Sequence, residues 1–184
     1  GIKNVLIGGL AGDALQEGTG NVAVGYRSLS SENAHGKNVA IGYDSLRDLD
    51  AGADAYNVAI GYEAGKTVTT GIQNTLLGGL AGDAITTGAD NVVMGYQAMT
   101  VANSTESRNV AIGAFALDSL DNGSTTNTYN TAVGYGSAAA VNTGIQNTIL
   151  GALTGDALTT GTNNIIIGYN SAASAVDVSN EITL

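Results

Sequence analysis

Asn38-Val39-Ala40-Ile41-Gly42-Tyr43, NVAIGY, returns unchanged at 57–62, with close variants at 21–26 (NVAVGY) and 130–135 (NTAVGY). Working outward, the pattern Asn, β-branched residue, small or apolar residue, aliphatic, Gly begins at Asn4, Asn21, Asn38, Asn57, Asn74, Asn91, Asn109, Asn130, Asn147 and Asn164. The steps are 17, 17, 19, 17, 17, 18, 21, 17 and 17 residues. Repeats at a fixed period of this size announce a solenoid. Apolar residues at the second and fourth positions, such as Val39 and Ile41, have the period of a strand and predict burial of that pair. No segment sustains a helical period over three turns. The reading is therefore all-β: a parallel β-solenoid of about ten 17-residue coils. Each coil is expected to carry two short strands, with one bend at the motif Gly and another near Thr-Gly pairs such as Thr70-Gly71 and Thr143-Gly144. Coils stacked about 4.8 Å apart make a rod of roughly 50 Å.

A longer period lies over the first. GIKNVLIGGLAGDAL at 1–15 returns as GIQNTLLGGLAGDAI at 71–85 and GIQNTILGALTGDAL at 144–158, four coils apart each time. Glu181 falls 17 residues after Asn164 and starts an eleventh coil, with Ile182 and Leu184 in the slots expected to be buried. Residues 1–184 thus read as a single solenoid domain, expected to be a fragment of a longer fibre.

Composition narrows the function classes. Aromatics make up 5% of the chain and Trp is absent, so aliphatic residues must form a thin core, which favours oligomerisation. A net charge of −10 repels phosphate backbones and anionic lipid, so neither nucleic acid nor membrane insertion is expected. With no Cys, disulfides and thiolate metal sites are ruled out. With no Pro, every backbone N–H is available to a neighbouring coil.

NVAIGY, NVAVGY and NTAVGY resemble the repeat of trimeric autotransporter adhesin heads, the YadA-like left-handed parallel β-roll. The TTG-x-x-N cadence and the ending VSNEITL are similar to bacteriophage tail fibre repeats. The resemblance spans essentially the whole chain. The coil departs from the adhesin unit in its 17-residue length and in Val or Thr after the Asn. The resemblance implies a left-handed homotrimer acting in attachment to a host cell-surface glycan or protein, located in a virion tail fibre or, alternatively, as an adhesin head on a bacterial surface.

Several constellations were weighed as sites. The Asn column, Asn4 through Asn164, reads as a structural ladder rather than a ligand site. The Tyr after the motif Gly, at 26, 43, 62, 96, 135 and 169, reads as packing rather than a sugar platform. His35, the single His, reads as a solvated turn residue, and Asp13, Asp83 and Asp156 as turn caps rather than Ca²⁺ ligands. Arg27, Asp44 and Glu63 occupy equivalent positions of successive coils. Asp44 and Glu63 suggest a polysaccharide depolymerase by their expected spacing of roughly 5 Å, but an ion-pair ladder with Arg27, Arg47 and Lys66 explains them better. No enzymatic activity, no cofactor and no metal is expected. An ice-binding or purely structural filament is a further alternative, which the irregular Thr positions disfavour. Recognition is assigned to the two longest coils, 19 residues from Asn38 and 21 from Asn109, whose extra length must leave the ladder as loops. These loops span 48–56 and 118–129, and the candidate receptor-binding residues are Asp48, Asp50, Asp54, Tyr56, Asp118, Asp121, Asn122 and Tyr129.

Overall fold

The computed structural model describes residues 1–101, 105–121, 123 and 127–184; Asn122 lies outside them. Eleven short strands form one parallel sheet in sequence order. They are β1 (Val5–Ile7), β2 (Val22–Val24), β3 (Val39–Ile41), β4 (Val58–Ile60), β5 (Thr75–Leu77), β6 (Val92–Met94), β7 (Val110–Ile112), β8 (Thr131–Val133), β9 (Thr148–Leu150), β10 (Ile165–Ile167) and β11 (Ile182–Thr183). Motif pairs with motif in register, as in Val39 with Val58, Ala40 with Ala59 and Ile41 with Ile60. The chain is a β-solenoid without helix among the described residues, and β11 begins the eleventh coil that the spacing predicts.

Two expectations are corrected. Each coil carries one strand rather than two, because the remaining sides hold left-handed residues that cannot extend. The sixth residue after the motif Asn is of this kind, with Arg27, Asp44 and Glu63 at φ 50° to 53°. The residue before the motif Asn is another, as in Lys37, Tyr56 and Arg108. The buried face is also the opposite one. The third motif position points inward, with Ala40, Ala59, Leu76, Val93 and Ile166 fully enclosed, while the second and fourth positions are half-buried or exposed. Ile182 and Leu184 are accordingly exposed.

Packing inside is complementary in volume across the coil. In three coils the third position is Ala (Ala23, Ala40 and Ala111) and the residue six further on is a buried Leu, Leu29, Leu46 or Leu117, whereas Ala59 and Ala132 are followed at that distance by Gly65 and Ala138. In three others it is large, Leu6, Leu76 or Ile149, and that residue is Gly12, Gly82 or Gly155, where a Cβ would come within 2.8 to 2.9 Å of the large side chain; Val93 and Ile166 are followed instead by Met99 and Ala172. In these six coils bulk is exchanged between two columns, which keeps the packing dense. Coils one, five and nine, which carry the four-coil sequence period, share the large-then-Gly arrangement.

Asn side chains tie the coils together. The backbone N–H of Asn21 donates to Asn4 Oδ1 at 2.8 Å, and the same bond runs unbroken through Asn164 to the N–H of Glu181 at 2.9 Å. Most of the Asn amides also donate to a turn carbonyl about one coil on, as Asn74 Nδ2 does to Gly88 O at 2.9 Å. From Asn21 to Asn164 the column is 0 to 2% exposed, so these bonds satisfy groups that water does not reach.

Candidate functional site

The two insertions leave the ladder later than their length implies. Asp48 N–H still donates to Lys66 O and Asp50 N–H to Thr69 O, so only the segment 51–54 departs before Ala55 re-enters the core. Likewise Asp121 N–H donates to Asn142 O, and the chain rejoins at Asn127, bridged to Ser107. Both returns end in a Tyr forced to positive φ, Tyr56 at 53° and Tyr129 at 52°.

Each Tyr meets a cation from the coil before it. Lys37 Nζ donates to Tyr56 Oη at 2.8 Å, lies 4.9 Å from its ring centroid and pairs with Asp54 at 2.7 Å. Hydrogen bonding to Lys37 holds the Asp54 carboxyl below its usual range. Arg108 donates to Tyr129 Oη at 2.7 Å, with its guanidinium 5.6 Å from the ring centroid, and reaches Asp90 at 3.4 Å. Two exposed Tyr-cation-carboxylate clusters therefore sit at the feet of the insertions, roughly 19 Å apart along the rod. The sequence points to the Tyr residues; the cations were missed because they lie a full coil away. The other candidates are dispersed: Asp48 pairs with Arg47, Asp121 accepts from Gly123 N–H, and Asp118 is half-buried, which raises its pKa.

Five of the six Tyr after the motif Gly are about half-exposed and in contact with a neighbouring ring, while Tyr169 is 78% exposed. Tyr26, Tyr43 and Tyr62 stack with centroids 5.4 Å apart, and Phe115 meets Tyr96 and Tyr135 edge-on. The stack takes both faces of Tyr43 and one face each of Tyr26 and Tyr62, faces that a sugar would need. Beside it, Asp44 is 1% exposed and gripped by Arg27 through two bonds of 3.0 and 2.8 Å, with Arg47 at 3.5 Å. Glu63 is held below the ordinary carboxylate range, first by the Tyr62 hydroxyl and then by Lys66 at 3.0 Å. Both carboxylates are engaged in ion pairs.

Asp83 is strained electrostatically. Burial, and secondarily the Glu63 charge, raise its pKa to about 6, and its Oδ1 is enclosed without a hydrogen bond. A carboxyl whose folded pKa exceeds its unfolded one costs the fold stability as it ionises, so this cost grows from about pH 4 and is complete above about pH 6. Asp83→Asn is expected to raise the melting temperature at pH 7.5 and to leave it nearly unchanged at pH 4, which thermal melts at both values will read.

Among the described residues no helix is long and apolar enough to cross a membrane. Neither a scan of protein-family models nor searches of curated proteins and solved structures find a match to this chain.

Proposed function

We propose that the chain is a segment of a trimeric attachment fibre, of the phage tail-fibre kind, in which three solenoids pack side by side and the coil insertions meet a host-surface glycan or protein. The observation that carries this is the outward face of the sheet. From β1 to β10 its two outward positions are aliphatic except at Thr75, Thr131 and Thr148, and they remain half-buried or exposed in the single chain. That strip is about 10 Å wide and about 48 Å long, at the upper end of what soluble monomers leave uncovered. A second and third copy of the same face cover it, and this also enlarges a core too thin for one chain. The choice of three copies, and of left-handed coiling, rests on the likeness to adhesin heads and tail fibres. A bacterial adhesin head would use the same coil and the same interface. The proposal gives the segment no catalytic step and no nucleic-acid contact.

Light scattering coupled to size exclusion tests it. At micromolar concentration the mass should be three times 18.3 kDa. The pair Val58→Lys and Ile60→Lys, placed outward in mid-rod, should give a folded monomer. A monomeric mass for the unaltered chain overturns the proposal.

A further inference from the structure

Eleven residues after the motif Asn, six coils place a buried aliphatic: Leu49, Val68, Ile85, Leu120, Val141 and Leu158. In the second coil that place belongs to Glu32, fully enclosed at 0% exposure. A carboxylate in an aliphatic column is costly unless its charge is matched. Glu32 Oε1 accepts the backbone N–H of His35 at 3.0 Å, but Oε2 makes no hydrogen bond. His35 Nδ1 is also buried without a hydrogen bond, since at 3.5 Å it is near Oε1 yet not bonded to it. The next coil brings Asp50 alongside, so that one ligand atom from each of Glu32, His35 and Asp50 lies within 4.8 Å of the others.

We propose that Glu32, His35 and Asp50 bind one divalent transition-metal ion per chain. Glu32 and His35 each hold an enclosed atom without a hydrogen bond, Oε2 and Nδ1, and both side chains converge with a second carboxylate, so a cation bound among them supplies the missing partner. Imidazole with carboxylates suits Zn²⁺, Co²⁺ or Ni²⁺ better than Mg²⁺ or Ca²⁺, which prefer oxygen alone. Ligand atoms about 2.1 Å from such an ion stand roughly 3.0 to 4.2 Å apart, so a small contraction of the group closes the site. Three protein ligands leave room for water. Asp50 is the residue from which the insertion 51–54 departs, and Asp54 accepts from Gly36 N–H at 3.1 Å just after His35. The ion therefore fastens the foot of the first insertion to the coil beneath it. Composition hid this site: with no Cys and a lone His, metal ligation was set aside, and the exception at Glu32 shows only when coils are aligned beyond the motif.

The experiment is a Co²⁺ titration of the tag-free, chelator-stripped chain, read by visible absorption and calorimetry. Expected is one ion per chain with a d–d band of an imidazole-containing site. Glu32→Gln keeps the acceptor for His35 N–H; it and His35→Gln should weaken binding about a hundredfold or more, beyond what loss of a second-shell partner costs. Zn²⁺ should raise the melting temperature of the unaltered chain and not of these variants. Asp50→Asn, on an exposed residue, keeps the test valid where a buried substitution fails to fold, and should weaken binding about tenfold. An absent band and no heat would mean an internal Glu32–His35 pair only. Equal affinity in all variants would mean scattered surface carboxylates. Either result overturns the site.

Discussion

Gly61→Ala is expected to destabilise the rod by more than about 4 kcal/mol and to lower the melting temperature by about 10 °C or more. Two causes add. The residue sits at φ +144°, a region in which any Cβ is strained. The new Cβ also falls 2.3 Å from Gly78 O and 2.5 Å from Gly78 C, which are backbone atoms of the next coil and cannot turn aside. The same close approach repeats up the column, from Gly25 against Gly42 to Gly134 against Gly151, so coils can relieve it only by separating. Gly52→Ala is the control. Gly52 has φ +69° and nothing within 4 Å of its Cβ position, so the change should cost only about 1 kcal/mol, from backbone strain alone. Denaturant melts of both variants decide it: equal losses would show that the Gly stack is not in close contact.

Asn74→Ala should cost about 3 kcal/mol. Asn74 Oδ1 accepts the Asn91 N–H and the Asn91 amide, both at 3.1 Å, while its own amide donates to Gly88 O at 2.9 Å and Asn57 Oδ1 at 3.2 Å. Alanine leaves the Asn91 N–H and the Gly88 carbonyl without these partners inside the rod, each costing about 1 to 3 kcal/mol. Asn4→Ala, in the half-exposed first coil, should cost about 1 kcal/mol, because water replaces the lost bonds there. A mid-rod substitution no worse than the terminal one in thermal melts would remove the ladder from the list of stabilising elements.

The motif spacing was enough to locate every strand, the parallel register and the eleventh coil, because stacking in register forces one repeat per layer. It did not settle which face is buried. With Val39, Ala40 and Ile41 all apolar, period-two alternation has no polar member to fix its phase, and size alone favours the larger residues as core. The correct phase is visible in Leu76, Val93, Ile149 and Ile166, where the third position turns large and is fully buried. The single strand per coil was hidden for another reason. Leu, Arg and Glu at left-handed positions carry no sequence signature, since the neighbouring coils, not the residues themselves, hold that conformation. Of the insertions, their placement and closing Tyr residues were legible, whereas Lys37 and Arg108 required the stack itself.

The ladder bonds described above point along the rod, and each coil is bonded only to its two neighbours. Tension applied between the ends is therefore borne lengthwise by one layer of bonds at a time. The outermost coil peels away while the next stays whole, and each releases 17 to 21 residues, which extend to about 55 to 70 Å where the folded coil spanned about 4.8 Å. Pulled this way, the rod lengthens stepwise, one coil at a time, behaving as a shock absorber rather than a brittle strut.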